Sequence, residues 1–180
     1  MYDIWVYATT KLFAEIPIML FVPFIFLVVL YFGIGFSDKV TLFCEFYLVL
    51  TLMIQAATAM GYALSSIFNH ESTAVAFAPI VNMPLNLLGG YMIALDGIFT
   101  RSPQKYIAWL MYLSPVRYGF SAMMVSQFPV VDEATGENYP ETVRILEVYG
   151  FDGMSYWGSV LALFLLFVSF RAMVIFSLWL

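Results

Sequence analysis

The fold is decided by a continuous apolar run at residues 12–36, which reads LFAEIPIMLFVPFIFLVVLYFGIGF. A helix of about 20 apolar residues is long enough to cross the hydrocarbon core of a bilayer. The run has Glu15 as its one ionisable residue, and it does not alternate between apolar and polar residues as the strand of a membrane barrel does. It therefore predicts a transmembrane helix.

Three further runs have the same character. They extend over residues 40–68, 73–95 and 155–180. A short polar segment precedes the third run, and in it Ser72 can cap the helix that follows. The sequence thus predicts an all-α membrane protein with about four transmembrane helices.

The composition agrees with this class and excludes others. Hydrophobic residues make up 63% of the chain and charged residues only 11%, whereas about a quarter of the residues in a soluble domain are charged. The net charge is −5, and the seven Lys and Arg residues are scattered rather than gathered into a basic stripe. The sequence therefore predicts an integral, multi-pass protein whose surroundings are the lipid bilayer, with no nucleic-acid partner.

The segment between the last two runs, residues 96–154, is long and not uniformly polar. Its apolar part, residues 107–131, is interrupted by Pro115, Arg117 and Gly119, which predicts short helices that re-enter the membrane from one side. A short amphipathic helix is predicted at residues 141–149, with one face formed by Thr142, Ile145, Leu146 and Tyr149.

A few polar residues lie in or beside the apolar runs. Lys11 lies one helical turn before Glu15, so the two are predicted to form a structural ion pair, with a transport role for Glu15 as the alternative. Glu45 either reaches interfacial water or acts inside the protein, and Gln55 needs a hydrogen-bond partner. Cys44, the single cysteine, is expected to be a small buried hydrophobe.

Two patterns concern how the helices are used. In the second run, Ala57, Gly61 and Ser65 recur every four residues, which predicts a face that another helix can approach closely. The third run holds an unusual density of helix-loosening and amide residues: Pro79, Asn82, Pro84, Asn86, Gly89 and Gly90. Such a helix is expected to line a path across the membrane, and the alternative is a kinked packing helix.

The sequence offers no candidate catalytic site. It contains no G-x-x-x-x-G-K-[ST] phosphate-binding loop, and its one histidine, His70, has no arrangement of nucleophile and base around it. No metal-ligand spacing is present either. We therefore expect that the chain is not an enzyme and holds no metal or other cofactor itself.

Two stretches carry a recognisable pattern. Residues 7–17 read YATTKLFAEIP, and residues 107–122 read IAWLMYLSPVRYGFSA, which contains W-x-x-Y-x-S-x-x-R-Y-G-x-x-A. The first resembles the start of the third transmembrane helix of ABC transporters of the ABCG (White) subfamily, and the second resembles the block after their fifth helix. Phe170–Arg171 is similar to a Phe-Arg pair in the last helix of White-like proteins.

The resemblance implies that residues 1–180 are a partial ABC-2 type transmembrane domain, helices three to six of six, with no nucleotide-binding domain. Lys11 would then be cytoplasmic, and the segment after Leu95 would lie outside. Such domains work as homo- or heterodimers with another ABC half-transporter, and ATP and Mg are held by the nucleotide-binding domains. The implied activity is ATP-driven export of hydrophobic or amphipathic substrates, such as a lipid, sterol, pigment or drug.

The resemblance also assigns candidate residues. The fifth helix lines the central cavity, which places Pro79, Met83 and Asn86 on the substrate path. The apolar valve at its end falls at Tyr91 and Met92, where Tyr91 departs from the usual leucine. An alternative function is a truncated membrane partner or regulator of complete half-transporters that does not itself transport. A channel is less favoured, because no run carries a regular polar lining.

Overall fold

The computed structural model describes residues 4–35, 40–68, 70–87, 89, 108–127, 146, 149, 151 and 155–179. The regular structure in these ranges is helical: α1 Ile4–Ile34, α2 Val40–Ile67, α3 Glu71–Leu87, a 3-10 helix Ala108–Leu113, α4 Pro115–Gln127 and α5 Tyr156–Trp179. No strand occurs among the described residues. The all-α prediction is confirmed.

Three of the described helices are long and apolar enough to cross a membrane. The candidate spans are Phe13–Ile34 in α1, Val40–Ile67 in α2 and Tyr156–Ser177 in α5. Large apolar side chains such as Phe13, at 72% exposure, face outward from them, as lipid-facing side chains do. The chain is therefore an integral, multi-pass membrane protein.

The helix α1 begins at Ile4, before the predicted start at residue 12. Its apolar span nevertheless begins at Phe13, close to the prediction. The helix extends further because no proline or glycine precedes Pro17, and the Thr10 hydroxyl donates to the Val6 carbonyl at 2.7 Å. The predicted apolar run thus lies within α1 as far as Ile34, and the helix also includes residues 4–11 before it.

The helix α3 differs from its predicted extent of 73–95. It has 17 residues and ends at Leu87, so it is not among the described helices of membrane-spanning length. The Gly89 N–H donates to the Asn86 carbonyl at 3.1 Å, a three-residue turn that takes the place of the four-residue helical bond. Apart from Gly89, the rest of the predicted span lies outside the described residues, in residue 88 and in residues 90–107.

The start of α3 also corrects the predicted cap. The backbone N–H groups of Thr73 and Ala74 both donate to the His70 carbonyl, each at 3.2 Å. The residue whose carbonyl accepts the first bonds of a helix is its N-cap. His70, rather than Ser72, therefore occupies the cap position.

The chain divides into two compact units. Unit 1 comprises Met1–Ala78 and Phe164–Leu180, and unit 2 comprises Pro79–Leu163. In unit 1, α1 and α2 contact each other through aromatic edges. The Phe24 and Tyr47 rings lie 5.7 Å apart and the Tyr31 and Phe43 rings 5.3 Å apart, both nearly perpendicular.

One expectation for α2 is wrong in this structure. Cys44 is exposed, because the buried face of α2 runs through Phe46 and Val49 and side chains two residues apart on a helix point to nearly opposite sides. The residues Ala57, Gly61 and Ser65 are exposed as well, and a Cβ on Gly61 would meet no atom within 4 Å. The close approach of another helix to this small-residue face stays a prediction.

Unit 2 has its own core around the 3-10 helix and α4. Met111, Leu146 and Phe151 are almost fully buried and contact one another, and Phe120 packs against them. Leu146 and Tyr149, from the predicted amphipathic helix, are helical and belong to this cluster. Thr142 and Ile145 lie outside the described residues. The 3-10 helix and α4 are the short helices predicted for this part of the chain, and their re-entry into the membrane stays a prediction.

Candidate functional site

Four polar residues from three membrane-spanning helices meet in unit 1. We call Lys11 and Glu15 of α1, Tyr62 of α2 and Arg171 of α5 the three-helix polar cluster. The Tyr62 hydroxyl donates to Glu15 Oε1 at 2.6 Å. Arg171 Nη2 lies 3.6 Å from Glu15 Oε2, and Lys11 Nζ lies 4.0 Å from Glu15 Oε1. One carboxylate thus joins α1 to both α2 and α5.

The three contacts of Glu15 differ in strength. The distance from Tyr62 is short, as expected for a hydroxyl that donates to a charged oxygen. Arg171 forms an ion pair without a hydrogen bond, and both Glu15 Oε2 and Arg171 Nε are buried with no hydrogen-bond partner. The Lys11 side chain is 39% exposed, so its ion pair is partly screened and contributes about 1 kcal/mol or less. Tyr62 is therefore the main partner of Glu15.

The Tyr62 ring balances the excess positive charge of the cluster. Lys11 Nζ lies 4.1 Å from the ring centroid, and the Arg171 guanidinium carbon lies 5.3 Å from it. A cation over an aromatic face is attracted by about 0.5–2 kcal/mol, depending on its hydration. With two cations and one carboxylate in the cluster, the ring supplies the additional negative potential.

A second polar contact joins α2 and α5. The Ser177 hydroxyl of α5 donates to the Ser66 carbonyl of α2 at 2.9 Å. Such contacts hold membrane helices together where lipid offers no hydrogen-bonding groups. The cluster carries no nucleophile with an adjacent base, so its chemistry is that of a clamp between helices rather than that of a reaction centre.

The predicted path residues share one face of α3 in unit 2. Pro79, Met83 and Asn86 lie four and three residues apart, and all three are exposed, with Met83 at 70%. Two asparagines, Asn82 and Asn86, lie on this side of α3, and Asn82 is half-buried. The predicted valve residues, Tyr91 and Met92, lie outside the described residues.

The end of α3 is attached to the start of α4. The buried Ser114 hydroxyl donates to the Leu85 carbonyl at 2.8 Å. Gly89 is buried against Val116, and a Cβ added to Gly89 would lie 3.1 Å from Val116 Cγ1 and 3.0 Å from the Asn86 carbonyl oxygen. A side chain at this position would require its neighbours to shift by a few tenths of an ångström. We call Leu85, Gly89, Ser114 and Val116 the α3–α4 junction.

A buried cation lies three residues beyond Ser114. Arg117 is 3% exposed, its Nε and Nη1 atoms make no hydrogen bond, and its guanidinium lies 5.2 Å from the Tyr112 ring centroid. Burial lowers the pKa of Arg117 from its usual value, and the Tyr112 and Tyr118 phenols oppose this effect. Burial also raises the pKa of Tyr118, which the Arg117 charge opposes.

An open apolar cavity of about 430 Å³ lies in unit 1. The residues that line it are Gly61, Leu64, Ser65 and Phe68 from α2 and the residue after it, and Ala74, Val75 and Ala78 from α3. Phe68 and Phe77 stack beside it with centroids 5.0 Å apart. The small side chains of its wall explain why space remains between the two helices.

Sequence reasoning found part of these arrangements. It paired Lys11 with Glu15 from their spacing, but it missed Tyr62 and Arg171 as partners of Glu15. Arg171 gave a usable signal, because an ionisable residue inside an apolar span needs a partner. Tyr62 gave none, since it is one of 12 tyrosines in an aromatic-rich chain. Glu45 and Gln55 are half-buried, and their roles stay unassigned.

Side chains that bind metal ions are not clustered among the described residues. None of them form a group of three or more His, Cys, Asp or Glu side chains that could hold a metal ion. The four residues of the polar cluster include a single carboxylate and two cations, which repel a metal ion.

These features define an all-α, multi-pass membrane domain. It has apolar spans, polar residues that join those spans, and short helices attached to the end of α3. Residues 1–128 match the ABC-2 type transporter family. The chain belongs to this family. The membrane location and the helical architecture follow from the same membership, and the resemblance to White and ABCG proteins is confirmed by the relatives below.

These relatives are longer proteins. Protein white of Drosophila melanogaster is 30% identical over 174 residues, which cover 93% of this chain and 25% of the relative. ABC transporter ATP-binding protein/permease wht-1 of Caenorhabditis elegans is 28% identical over 68% of this chain and 17% of its own length. ABC transporter G family member 42 of Arabidopsis thaliana is 26% identical over 90% of this chain and 12% of its own length. The chain spans about a quarter or less of the curated relatives it matches.

Proposed function

We propose that this chain is the membrane-spanning part of an ATP-driven exporter of hydrophobic or amphipathic molecules. The observation that carries the proposal is the match of residues 1–128 to the ABC-2 type transporter family, together with the similarity of the chain to White and ABCG proteins. The name of one relative joins an ATP-binding protein to a permease. We assign helices three to six of a six-helix domain to this chain.

In this proposal, the energy for transport comes from domains other than the one formed by this chain. ATP and Mg act at nucleotide-binding domains of the kind that the ATP-binding relative's name describes, because this sequence has no phosphate-binding loop. Closure of these domains in a homo- or heterodimer moves the membrane helices. The residues of this chain contribute the path and its gate.

The exposed face of α3 suggests the class of substrate. Met83 and Pro79 offer apolar surface, and Asn86 offers one amide that can donate and accept hydrogen bonds. A lining of apolar side chains with few polar groups suits a molecule that is largely apolar with one polar end. A lipid, sterol, pigment or hydrophobic drug meets this description. Tyr91 and Met92 are proposed as the valve that the substrate passes last.

The test is export by a complete transporter that carries this membrane domain, reconstituted into proteoliposomes. We expect ATP-dependent movement of a fluorescent phospholipid or sterol analogue, and a several-fold lower rate for Met83→Ala. The matched control is Met173→Ala, another exposed methionine, on α5, which is expected to leave the rate unchanged. No ATP-dependent movement of any such analogue by correctly folded protein would refute the proposed function.

A further inference from the structure

We infer that Ser114 is a positioning residue for transport, which fixes the C-terminal end of α3 and the face that carries Met83 and Asn86. The inference rests on the proposed function, because that function makes this face the substrate path. Ser114 is 0% exposed, so it cannot touch a substrate itself. Its effect on transport must pass through the position of α3.

The argument starts from the Leu85 carbonyl. In a continuing α-helix this carbonyl would accept the N–H group four residues later, which belongs to Gly89. The Gly89 N–H instead donates to the Asn86 carbonyl, and the Ser114 hydroxyl donates to the Leu85 carbonyl at 2.8 Å. Leu85 is 2% exposed, so water cannot replace that bond. The hydroxyl thus stabilises the helix end in the turned form.

The second contact of the junction, between Gly89 and Val116, determines how the end of α3 is oriented against α4. The Gly89 backbone touches Val116, two residues after Ser114, closely enough that an alanine Cβ would lie 3.1 Å from Val116 Cγ1. A hydrogen bond on one residue and a close backbone contact on another fix both the distance and the rotation of the α3 end against the first turn of α4. A single contact would leave the rotation free.

α4 can serve as the fixed reference because it is held independently of α3. The buried hydroxyls of Ser121 and Ser159 lie 3.4 Å apart and join α4 to the first turns of α5. Phe120 packs against Phe151, with ring centroids 5.7 Å apart. The end of α3 is thus attached to an element that the rest of unit 2 holds in place.

Met83 and Asn86 lie within one helical turn of Leu85, on the exposed side of α3. Loss of the Ser114 hydroxyl is therefore expected to change where these side chains stand, without changing the side chains themselves. This predicts a change in apparent substrate affinity with the maximal rate preserved. A residue that only supports folding would lower the amount of active protein and would leave the affinity of the remaining protein unchanged.

The first arm of the test measures position in the full chain, without transport. Spin labels are placed on Met83→Cys in α3 and Gln127→Cys in α4, in a Cys44→Ser background, and their distance distribution is measured by pulsed electron resonance. Ser114→Ala is expected to broaden or shift the distribution, and Ser114→Thr, which keeps the hydroxyl, to restore it. Thr51→Ala is the matched control, since it removes a buried hydroxyl of α2 that makes no hydrogen bond. It is expected to leave the α3 distance unchanged.

The second arm measures export by the complete transporter in proteoliposomes. Ser114→Ala is expected to raise the KM for the lipid analogue roughly three- to tenfold at unchanged kcat, with recovery in Ser114→Thr. If Ser114→Ala leaves either the spin-label distances or the KM as in the wild type, the inference is overturned and the proposed function stands. If the folded wild type does not export the analogue at all, the proposed function is refuted. The two failures are distinguishable, because the proposed function is tested by the wild type alone and the role of Ser114 by comparing the variant with the wild type.

Discussion

The hydrogen bond from Tyr62 to Glu15 gives the most direct test of the three-helix polar cluster. Tyr62→Phe removes the hydroxyl that donates to Glu15 Oε1 at 2.6 Å and keeps the ring that faces Lys11 and Arg171. A hydrogen bond to a charged group contributes about 1.5–3 kcal/mol. For a chain of 150–250 residues, about 2 kcal/mol corresponds to a fall in Tm of about 4–8 °C. We expect a fall of that size for Tyr62→Phe.

The assay is thermal unfolding of the detergent-solubilised chain, followed by the loss of the monodisperse peak in size-exclusion chromatography. The variants Tyr62→Phe, Glu15→Gln and their combination form a double-mutant cycle. Because the two groups touch, the combined loss should be smaller than the sum of the single losses by about 1–2 kcal/mol. Losses that add within about 0.5 kcal/mol would refute the claim that Glu15 is held by Tyr62.

A matched cycle uses Tyr47, a second tyrosine of α2. Its hydroxyl donates to the neutral Leu20 carbonyl at 3.0 Å, so Tyr47→Phe should cost about 0.5–1.5 kcal/mol. Combined with Glu15→Gln, its effect should be additive, because Tyr47 does not contact Glu15. In the complete transporter, Glu15→Gln should lower the folding yield more than it changes the order of preferred substrates. A changed order at normal yield would make Glu15 a transport residue.

Three further predictions address unit 2 and the gate. Gly89→Ala should lower the Tm of the chain, because the added Cβ would meet the Asn86 carbonyl and Val116. The control Gly61→Ala, whose Cβ would meet nothing within 4 Å, should leave the Tm unchanged or raise it slightly. Equal effects of the two variants would contradict the close packing at Gly89. Arg117→Met should leave the Tm unchanged or raise it, because it removes a buried guanidinium group whose Nε and Nη1 atoms have no hydrogen-bond partner. A fall in Tm of several degrees would show instead that the charge of Arg117 stabilises the fold. In the complete transporter, Tyr91→Ala and Met92→Ala should alter export or basal ATPase activity, and unchanged activity at normal expression would refute the valve assignment.

The membrane spans were predictable because their cause is local. A bilayer selects for about 20 apolar residues, and the apolar runs at residues 40–68 and 155–180 predicted α2, Val40–Ile67, and α5, Tyr156–Trp179, to within a residue at each end. The spacing of Lys11 and Glu15 was informative for the same reason, since helix geometry brings residues four apart together whatever the rest of the chain does.

The faces of these helices could not be predicted in the same way. In a soluble helix the polar side marks what is exposed, but a helix that is apolar all round has no such mark. For this reason the buried position expected for Cys44 was wrong. The end of α3 needed tertiary information as well, because the partner of the Leu85 carbonyl is 29 residues away in sequence.

The polar cluster and the α3–α4 junction solve the same physical problem at different places. Inside a membrane protein the apolar side chains find equivalent contacts with lipid or with one another, so they select few particular arrangements of the helices. A carboxylate such as Glu15 or a free carbonyl such as that of Leu85 has no substitute partner in lipid. Tyr62 and Ser114 supply those partners. The arrangement of the helices therefore depends on a small number of hydroxyl groups, and removal of one hydroxyl should disturb the helix positions more than truncation of a larger, lipid-facing side chain such as Met173.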